Sequence, residues 1–378
     1  MKLPPFQLER FFARYEFSAP YLLSSSDCES LRLSDLLALA DAEGRDLWEQ
    51  LSLGYTESPG HPLLRAEIAR LYRALNPQDV LVLTPEEGIF IAMNVLLEAG
   101  DAVVAIAPAY QSLHSIAQSL GCQVKAWPLQ ARAGAWELDL DALAGLITPA
   151  VKMLVVNFPH NPTGFLPDPE QYQAVLRLAE RAGLWVFSDE MYRGLEYAPA
   201  VQLPAACDVV ERAVSLGGMS KAYALPGLRI GWLASRAEGL IQRSLAFKDY
   251  TTICSSAPSE VLALIGLRAR QAIADRNLAI IQANIQRAQE FFRAYAGRFA
   301  WIAPRAGSVA FPAWRGPGTV EQFCAALVER EGVMIVPGSL FDYPGGHFRL
   351  GLGRANFADG LSRVQRFLEQ PGGLPRTD

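Results

Sequence analysis

Two patterns of hydrophobic and polar positions alternate through the middle of the chain. Short apolar runs with the length of buried strands are separated by stretches in which apolar residues recur with helical spacing. The predicted strands are residues 80–83, 102–107, 151–157, 185–189, 214–216 and 230–233. The predicted helices between them are residues 87–97, 110–120, 169–182 and 238–247. This alternation predicts an α/β domain with a mostly parallel central sheet sandwiched by helices.

The pattern changes in the last third of the chain. A long helical stretch with few helix breakers covers residues 258–294, and shorter strands and helices follow it. These are strands at 309–314 and 347–352 and helices at 320–331 and 357–368, which together predict a smaller α+β domain. We therefore divide the chain into an amino-terminal segment that packs on the small domain (1–42), a large domain (43–260), a small domain (261–370) and a tail (371–378).

Composition narrows the possible classes of function. The 34 basic and 39 acidic residues are nearly balanced, so a nucleic-acid-binding surface is not expected. No apolar run approaches the ~20 residues of a membrane span, so no membrane partner is expected either. The five scattered cysteines lack a C-x-x-C pair and the four histidines lack paired-ligand spacing, which argues against disulfides and a metal site. A reducing, cytoplasmic location fits this cysteine usage.

Lysine is scarce, which limits the candidates for an amine nucleophile. Only five of the 34 basic residues are lysines. Lys221 is the most informative, because it follows a predicted strand and a Gly-Gly-Met-Ser turn in the segment 215–232, SLGGMSKAYALPGLRIGW. Glycine allows the backbone to approach a ligand closely there. The segment is not a P-loop, since Ala222 follows the lysine and the required glycine spacing is absent.

Polar side chains end two other predicted strands. The segment VVNFPHNPTG contains Asn161, and the segment VFSDEMY contains Asp189 and Tyr192. Taken alone, an Asn-Pro pair is also a turn signal, and an aspartate at a strand end is often a helix cap. Both segments, however, place polar groups at the carboxyl end of the predicted sheet, where open α/β sheets bind ligands.

The motifs N-P-T-G, D-E-x-Y, S-K and P-G-x-R-x-G-W occur in this order and at ordinary spacing. In this arrangement the chain resembles the class I/II aminotransferases, pyridoxal-phosphate-dependent enzymes of fold type I, over nearly its whole length. The resemblance implies an enzyme of amino acid metabolism that exchanges an amino group between an amino acid and a 2-oxo acid through a lysine Schiff base. It also implies pyridoxal 5′-phosphate as cofactor and a homodimer with shared active sites.

The resemblance assigns catalytic roles to the residues at the strand ends. Lys221 matches the lysine that forms the Schiff base and later moves a proton. Asp189 matches the partner of the pyridine nitrogen, whose protonation makes the cofactor an electron sink. Tyr192 and Asn161 match the hydrogen-bond donors to the phenolic oxygen of the cofactor, and Asn161 also belongs to the substrate site.

Further residues match the binding groups of the family. Arg229 and Ser220 match residues that bind the cofactor phosphate. Tyr110 matches the aromatic residue that stacks on the pyridine ring, and Tyr55 matches a tyrosine that reaches the phosphate of the neighbouring subunit. Arg349 matches the arginine that binds the substrate α-carboxylate, since a planar guanidinium forms two parallel hydrogen bonds to it.

The phosphate site departs from the family pattern. Residues 84–88 read Thr-Pro-Glu-Glu-Gly where small residues usually open the phosphate-binding helix. Pro85 offers no amide donor and Glu86 adds a negative charge, but the backbone amides of Glu86 and Glu87 remain available. Gly218 stands where many relatives carry a serine. We therefore expect Arg229 and Ser220 to carry more of the phosphate binding.

Two alternatives to transamination stay open. The segment LERFFARYEF and the serines at 24–26 resemble capreomycidine-synthase-like enzymes, which implies a lyase or cyclase that acts on an amino acid with the same cofactor. A non-catalytic pyridoxal-phosphate-sensing module, similar to aminotransferase-like regulators, is the other alternative. Those regulators carry an added DNA-binding domain, for which the segment before the predicted fold is too short.

The sequence also bears on the substrate side chain. Relatives that act on aspartate can hold its distal carboxylate with an arginine that lies about 30 to 40 residues beyond the cofactor lysine. Residues 244–267 contain no arginine, and we expect Lys248 to be exposed on a helix and Arg354 to be a surface charge. A buried carboxylate without a cation is costly, so neutral or apolar side chains are expected to be preferred over aspartate.

Overall fold

The computed structural model describes residues 2–370 of the 378-residue chain, so the predicted tail at 371–378 lies outside the described residues. The described helices α1 to α14 are Gln7–Tyr15, Leu33–Ala38, Ala42–Glu49, Pro62–Ala69, Pro85–Leu96, Ser112–Ser119, Leu140–Leu146, Pro169–Arg181, Ala206–Val209, Leu240–Lys248, Ala257–Arg268, Arg270–Ala294, Val320–Glu331 and Phe357–Glu369. The described strands β1 to β14 are Val80–Leu83, Ala102–Ala107, Gln123–Pro128, Gln130–Arg132, Ala135–Glu137, Val151–Asn157, Trp185–Asp189, Ala213–Gly218, Gly231–Ala234, Phe299–Ala300, Val309–Ala310, Ala313–Trp314, Val336–Pro337 and Phe348–Gly351.

A seven-stranded sheet forms the centre of the fold, in the order β1-β9-β8-β7-β6-β2-β3. Strands β3, β2, β6, β7 and β8 are parallel to one another, whereas β9 is antiparallel to both of its neighbours, β8 and β1. Helices cover the sheet, which confirms the predicted α/β class. Strands β1, β2, β6 and β7 are almost entirely buried, and strands buried on both faces produce continuous apolar runs. The observed bounds of β1, β2, β6 and β7 therefore equal the predicted ones.

The strands with fewer apolar residues were not predicted from the sequence. Strand β3 lies at the edge of the sheet and is largely solvent-accessible, so it lacks the apolar run that reveals the inner strands. The hairpin of β4 and β5 is short and similarly exposed. The stretch 258–294, predicted as one helical region, is divided at Ala269 into α11 and α12, because the ψ angle of Ala269 is 11° rather than helical.

The amino-terminal segment contacts both parts of the molecule. Its backbone pairs with the carboxyl-terminal part, since Met334 N–H donates to the Tyr21 carbonyl at 2.9 Å and Gly351 N–H donates to the Leu23 carbonyl at 2.7 Å. The start of α1 instead contacts the large sheet domain, where Gln7 N–H donates to Gln111 Oε1 at 2.9 Å. The amino-terminal segment therefore contacts the large sheet domain as well as the carboxyl-terminal part, and the division into domains stays a prediction.

None of the helices in residues 2–370 combines the length and the apolar character needed to cross a bilayer.

Candidate active site

The carboxyl ends of three neighbouring strands build the floor of the site. Asn157 ends β6 and is in register with Asp189, which ends β7. The side-chain Nδ2 of Asn157 donates to the backbone carbonyl of Asp189 at 3.0 Å, and Asn157 Oδ1 accepts a hydrogen bond from the backbone N–H of Asn161 at 2.8 Å. Asn157 thus fixes the Asn161 loop beside Asp189, a positioning role that we did not predict.

A cavity of about 470 Å³ opens at this edge of the sheet. It brings together nine of the eleven site residues predicted from the sequence, namely Glu86, Tyr110, Asn161, Asp189, Tyr192, Ser220, Lys221, Arg229 and Arg349. The remaining two, Glu87 and Tyr55, do not line it. In the described part of the chain, no group of three or more His, Cys, Asp or Glu side chains is arranged to hold a metal ion.

Lys221 projects into the cavity from the turn after β8. Its Nζ atom donates a hydrogen bond to Ser26 Oγ at 2.8 Å. Desolvation by the surrounding protein lowers the pKa of Lys221, and Arg349 acts in the same direction, whereas Asp27 and Asp189 oppose the shift. The neutral amine, which is the form that can act as nucleophile or base, is therefore more accessible than in an exposed lysine.

Asp189 and Tyr192 are buried groups with unused hydrogen-bonding capacity. Within residues 2–370, the Asp189 carboxylate accepts one hydrogen bond, from Met191 N–H at 3.1 Å, and burial raises its pKa to about 6. Among the described residues, the Tyr192 hydroxyl has no well-formed hydrogen bond, although Ser26 is close enough to lower its pKa. An aromatic ligand with a protonated ring nitrogen and a phenolic oxygen fits both groups. Its ring N–H would neutralise the Asp189 carboxylate, and its phenolic oxygen would accept a hydrogen bond from the Tyr192 hydroxyl.

Arg349 lies on β14 and is 1% exposed. Its Nε donates to the Ser24 carbonyl at 3.0 Å, and Nη1 donates to Asn161 Oδ1 at 3.3 Å. The Phe12 and Phe341 rings flank the guanidinium, with centroids 5.6 and 5.2 Å from its Cζ atom. Arg349 is therefore held in place while its Nη2 atom has no hydrogen-bond partner in the described residues, as a carboxylate-binding arginine requires.

Arg354 is not the surface charge that we expected. Its Nη2 atom donates to both carboxylate oxygens of Asp27, at 3.1 and 3.0 Å, and the two side chains are 17% and 15% exposed. Lys248 is also not exposed. It is fully buried, and its Nζ atom donates to the Ser58 carbonyl at 2.6 Å. Neither cation lines the cavity.

The start of α5 shows what replaces the usual phosphate-binding residues. The Glu87 carboxylate accepts from Thr84 N–H at 3.3 Å and from Thr252 Oγ1 at 2.8 Å, so its side chain caps the helix and faces away from the cavity. The Glu86 side chain does line the cavity. It accepts a hydrogen bond from Ser112 Oγ at 3.3 Å, and burial raises its pKa to about 7, which reduces the full negative charge that we expected there.

Steric contacts explain the glycine at position 218. A Cβ atom there would lie 2.9 Å from the Met191 side chain and 3.0 Å from the ring of Pro85, so serine does not fit while these residues are present. Ser220 is buried at the cavity wall. Arg229 has a left-handed backbone conformation (φ 55°), is exposed, and donates to the Pro226 carbonyl at 3.1 Å. The side chains of Ser220 and Arg229 can therefore both contact an anion bound in the cavity.

Tyr110 and Tyr55 have contrasting environments. The Tyr110 ring packs against Phe6, with centroids 5.0 Å apart, and its hydroxyl donates to Glu9 Oε1 at 3.1 Å. The Tyr55 side chain is 94% exposed and lies outside the cavity of its own chain. A role for Tyr55 thus requires a second subunit and stays a prediction.

The amino-terminal segment supplies site residues that sequence reasoning missed. Glu9, Phe12, Glu16, Ser26 and Asp27 all line the cavity. The contact between Ser26 and Lys221 joins residues 195 positions apart, a distance over which no motif spacing applies. The available signal was the group of serines near acidic and aromatic residues at the start of the chain, which indicates an unusual segment but not its location.

Comparison with known proteins identifies the family of the chain. Residues 21–360 match the family described as aminotransferase class I and II. The chain is 32% identical to the capreomycidine synthase of Streptomyces vinaceus, over 90% of this chain and 87% of that protein. The structure resembles that of a pyridoxal-phosphate-dependent aminotransferase from Streptococcus suis, with a TM-score of 0.91, 30% identity and 97% and 98% coverage of the two chains. It also resembles the pyridoxal-phosphate-dependent cyclase OrfR, with a TM-score of 0.88, 29% identity and 97% and 98% coverage.

Proposed function

Because the chain belongs to the class I and II aminotransferase family, we propose that the cavity around Lys221 is its active site and that Lys221 binds the cofactor covalently. The protein is a pyridoxal-phosphate-dependent enzyme that exchanges an amino group between an amino acid and a 2-oxo acid. One observation carries the proposal: the amine of Lys221, the buried carboxylate of Asp189 and the buried guanidinium of Arg349 line the same cavity.

The residues of the sheet edge fit the cofactor. Asp189 would hold the protonated ring nitrogen, and Tyr192 and Asn161 would donate hydrogen bonds to the phenolic oxygen. Ser220 and Arg229 would bind the phosphate, together with the backbone amides at the start of α5. When bound, the cofactor supplies an electron sink for the electron pair left on the substrate α-carbon.

The substrate would be oriented by Arg349 and Asn161. Arg349 binds the α-carboxylate through two parallel hydrogen bonds, and its contact with Asn161 sets the direction of the guanidinium. Lys221 then removes the proton from the α-carbon and returns a proton later in the reaction, which its lowered pKa favours. Ser26 holds the Lys221 Nζ atom in position.

The family resemblance further supports a homodimer. Tyr55 of one subunit would reach the phosphate site of the other, and the exposure of Tyr55 together with Leu53 and Tyr250 leaves apolar side chains available for such a contact. We also propose a cytoplasmic location, which the unpaired cysteines support.

A second outcome deserves a direct test, because the chain resembles both a capreomycidine synthase and the cyclase OrfR at about 30% identity over most of its length. In a cyclisation the amino group stays on the product, whereas in transamination it passes to a 2-oxo acid. The same cavity and the same roles for Lys221 and Arg349 would serve it, since proton removal from the α-carbon is common to transamination, elimination and cyclisation.

Two measurements test the proposal. Borohydride reduction of the cofactor-loaded protein, followed by peptide mass spectrometry, is expected to place the cofactor on Lys221. Label on Lys125, Lys152 or Lys248 instead would refute the site. A single-turnover assay without a 2-oxo acid then separates the two outcomes. A transaminase converts the cofactor to its amine form and releases a 2-oxo acid, whereas a cyclase or lyase returns the aldehyde form and turns over repeatedly with one substrate.

A further inference from the structure

We propose that Lys248 and Glu260 are positioning residues for the active site of the partner subunit. They hold the loop of residues 55–61, called the Tyr55 loop below, so that Tyr55 reaches the cofactor phosphate of the partner. The inference rests on the proposed function, because the homodimer and the role of Tyr55 belong to it. It gives a role to two buried charges that lie outside the cavity around Lys221.

Both buried charges bind the same loop. Lys248 ends α10 and Glu260 lies in the first turn of α11, and the two residues are 0% and 1% exposed. The Lys248 Nζ atom donates a hydrogen bond to the Ser58 carbonyl at 2.6 Å. Glu260 Oε2 accepts hydrogen bonds from Thr56 Oγ1 at 3.0 Å and from His61 N–H at 2.9 Å. The start, middle and end of the Tyr55 loop are therefore all held from outside the loop.

Burying two ionisable groups costs free energy that packing alone does not require. Desolvation lowers the pKa of Lys248, whereas Glu87 and Glu260 oppose the shift. Desolvation raises the pKa of Glu260, whereas the hydrogen bonds from the loop and the charge of Lys248 oppose the shift. Apolar side chains of similar volume would fill the same space without this cost. The two charges are better explained by the polar loop atoms that they bind.

The Tyr55 loop is also fixed to the central sheet. Val82 N–H in β1 donates to the Pro59 carbonyl at 2.9 Å, and Gly60 N–H donates to the Glu57 carbonyl at 2.8 Å. Gly60 has a φ angle of 111°, and a Cβ atom there would overlap the Val82 side chain. Tyr55 directly precedes this fixed stretch, and its side chain is 94% exposed. The loop therefore presents Tyr55 to a second molecule, not to the cavity of its own chain.

The segment after Lys248 exposes apolar side chains beside the loop. Tyr250 and Ile253 are 91% and 51% exposed, and Leu53, just before the loop, is 84% exposed. Lys248 joins the two segments, because its carbonyl accepts a hydrogen bond from Thr251 N–H at 2.9 Å while its side chain binds the Tyr55 loop. Large apolar side chains exposed in adjoining segments indicate a contact surface, and the proposed homodimer supplies a second copy of the chain to cover it.

The decisive experiment is a double-mutant cycle on cofactor affinity. Equilibrium dialysis of the holoenzyme against graded concentrations of pyridoxal 5′-phosphate, read by absorbance, gives the Kd. Tyr55→Phe is expected to raise the Kd about tenfold, and Lys248→Met about 3- to 10-fold. The double variant should match Tyr55→Phe within about twofold, because Lys248 acts through Tyr55. An unchanged Kd in Lys248→Met, or a double variant whose Kd shows the product of the two single effects, overturns the proposal.

Conservative variants separate positioning from a loss of stability. Glu260→Gln keeps a hydrogen-bond acceptor for Thr56 and His61 and is expected to keep the wild-type Kd. Glu260→Ala removes the acceptor and is expected to raise the Kd about 3- to 10-fold. Lys152→Met, at an exposed position on β6, is the control for the lysine substitution and should bind the cofactor as the wild type does. Equal Kd values for the two Glu260 variants would contradict the positioning role.

Mixed dimers show which active site Lys248 serves. Two subunits with different affinity tags are co-expressed, and one carries Lys221→Ala, so that borohydride fixes the cofactor only on the other, labelled subunit. With Lys248→Met in the labelled subunit, that site is expected to keep the wild-type Kd, because Tyr55 comes from the intact partner. With Lys248→Met in the Lys221→Ala subunit, the Kd of the labelled site should rise about 3- to 10-fold. The reverse pattern overturns the proposal.

Failure of this inference is distinguishable from failure of the proposed function. Borohydride label on Lys221 of the wild type and conversion of amino acids test the proposed function, and neither depends on Lys248. A monomeric holoenzyme, or equal cofactor affinity in Tyr55→Phe and the wild type, would overturn the inference together with the shared active sites. The assignment of Lys221 would stand in both cases.

Discussion

The cavity has two walls that differ in origin and in physical character. The inner wall comes from the ends of β6, β7 and β8 and from β14, and it carries Asn161, Asp189 and Arg349, all buried. The outer wall comes from the amino-terminal segment and carries Glu9, Glu16 and Ser26, which are exposed or partly exposed. The inner wall holds groups suited to chemistry common to the family, and the outer wall holds groups suited to positioning and selectivity.

The difference in burial sets the expected size of mutational effects. When its partner is removed, a charged or hydrogen-bonded group in a low-dielectric site loses more interaction free energy than the same group near water. Substitutions in the inner wall are therefore expected to change rates by orders of magnitude, whereas substitutions in the outer wall change rate or selectivity by about tenfold or less.

Lys221→Ala is expected to lower kcat by about 10²- to 10⁴-fold, because it removes the group that transfers the proton. The fold should persist, and cofactor binding should become noncovalent. Steady-state kinetics and circular dichroism check both parts. Lys152→Ala, at an exposed position, serves as the control and should behave as wild type. Substantial turnover by the Lys221 variant would remove this residue from the mechanism.

Asp189→Asn is expected to lower kcat by about 10²- to 10³-fold, because a neutral amide no longer stabilises the protonated ring nitrogen. The same change should stabilise the protein without cofactor at pH 8. Burial raises the pKa of Asp189 to about 6, so its ionised form destabilises the fold above that pH, and the variant is expected to gain about 1 to 3 kcal/mol.

The size of this stability effect depends on pH. Below the unfolded-state pKa of an aspartate, the carboxyl group is protonated in both states and the penalty disappears. The stabilisation by Asp189→Asn should therefore decrease as the pH falls from 8 to 4. Thermal unfolding of cofactor-free wild type and variant measures it, and a variant that is less stable than wild type at pH 8 would contradict the prediction.

Arg349→Ala is expected to lower kcat/KM for amino acids by roughly 10- to 150-fold, through the loss of charge-assisted hydrogen bonds to the α-carboxylate. Arg349→Lys should recover part of this loss, since a point charge replaces the planar fork. The cofactor absorbance should remain normal in both variants. Unaltered kinetics would show that another residue binds the carboxylate.

Ser26→Ala, in the outer wall, is expected to lower kcat by about 3- to 10-fold, the value of one hydrogen bond. Because the Ser26 hydroxyl accepts a hydrogen bond from the Lys221 amine, its loss should also shift the Lys221 limb of the kcat profile to lower pH. Ser18→Ala, at an exposed position, is the matched control. A rate and pH profile equal to those of the control would exclude a positioning role for Ser26.

The inner wall was predictable because local rules govern it. Strands buried on both faces produce long apolar runs, and their ends place Asp189 and the Lys221 turn at one edge of the sheet. The edge strand β3 and the break at Ala269 were missed, since a half-exposed strand and a single non-helical residue leave no comparable periodic signal. Glu86 lines the cavity, and its burial there, which the sequence does not show, raises its pKa to about 7.

The sequence by itself determined the α/β class, the inner strands and the group of residues at their carboxyl ends, because hydrophobic periodicity and motif order are encoded locally. Only the tertiary structure decided which residues complete the cavity. It placed Ser26 on Lys221, paired Asp27 with Arg354, buried Lys248 and brought Glu9 and Glu16 into the outer wall. Each of these contacts depends on packing between segments far apart in the chain, and no spacing along a sequence specifies such packing.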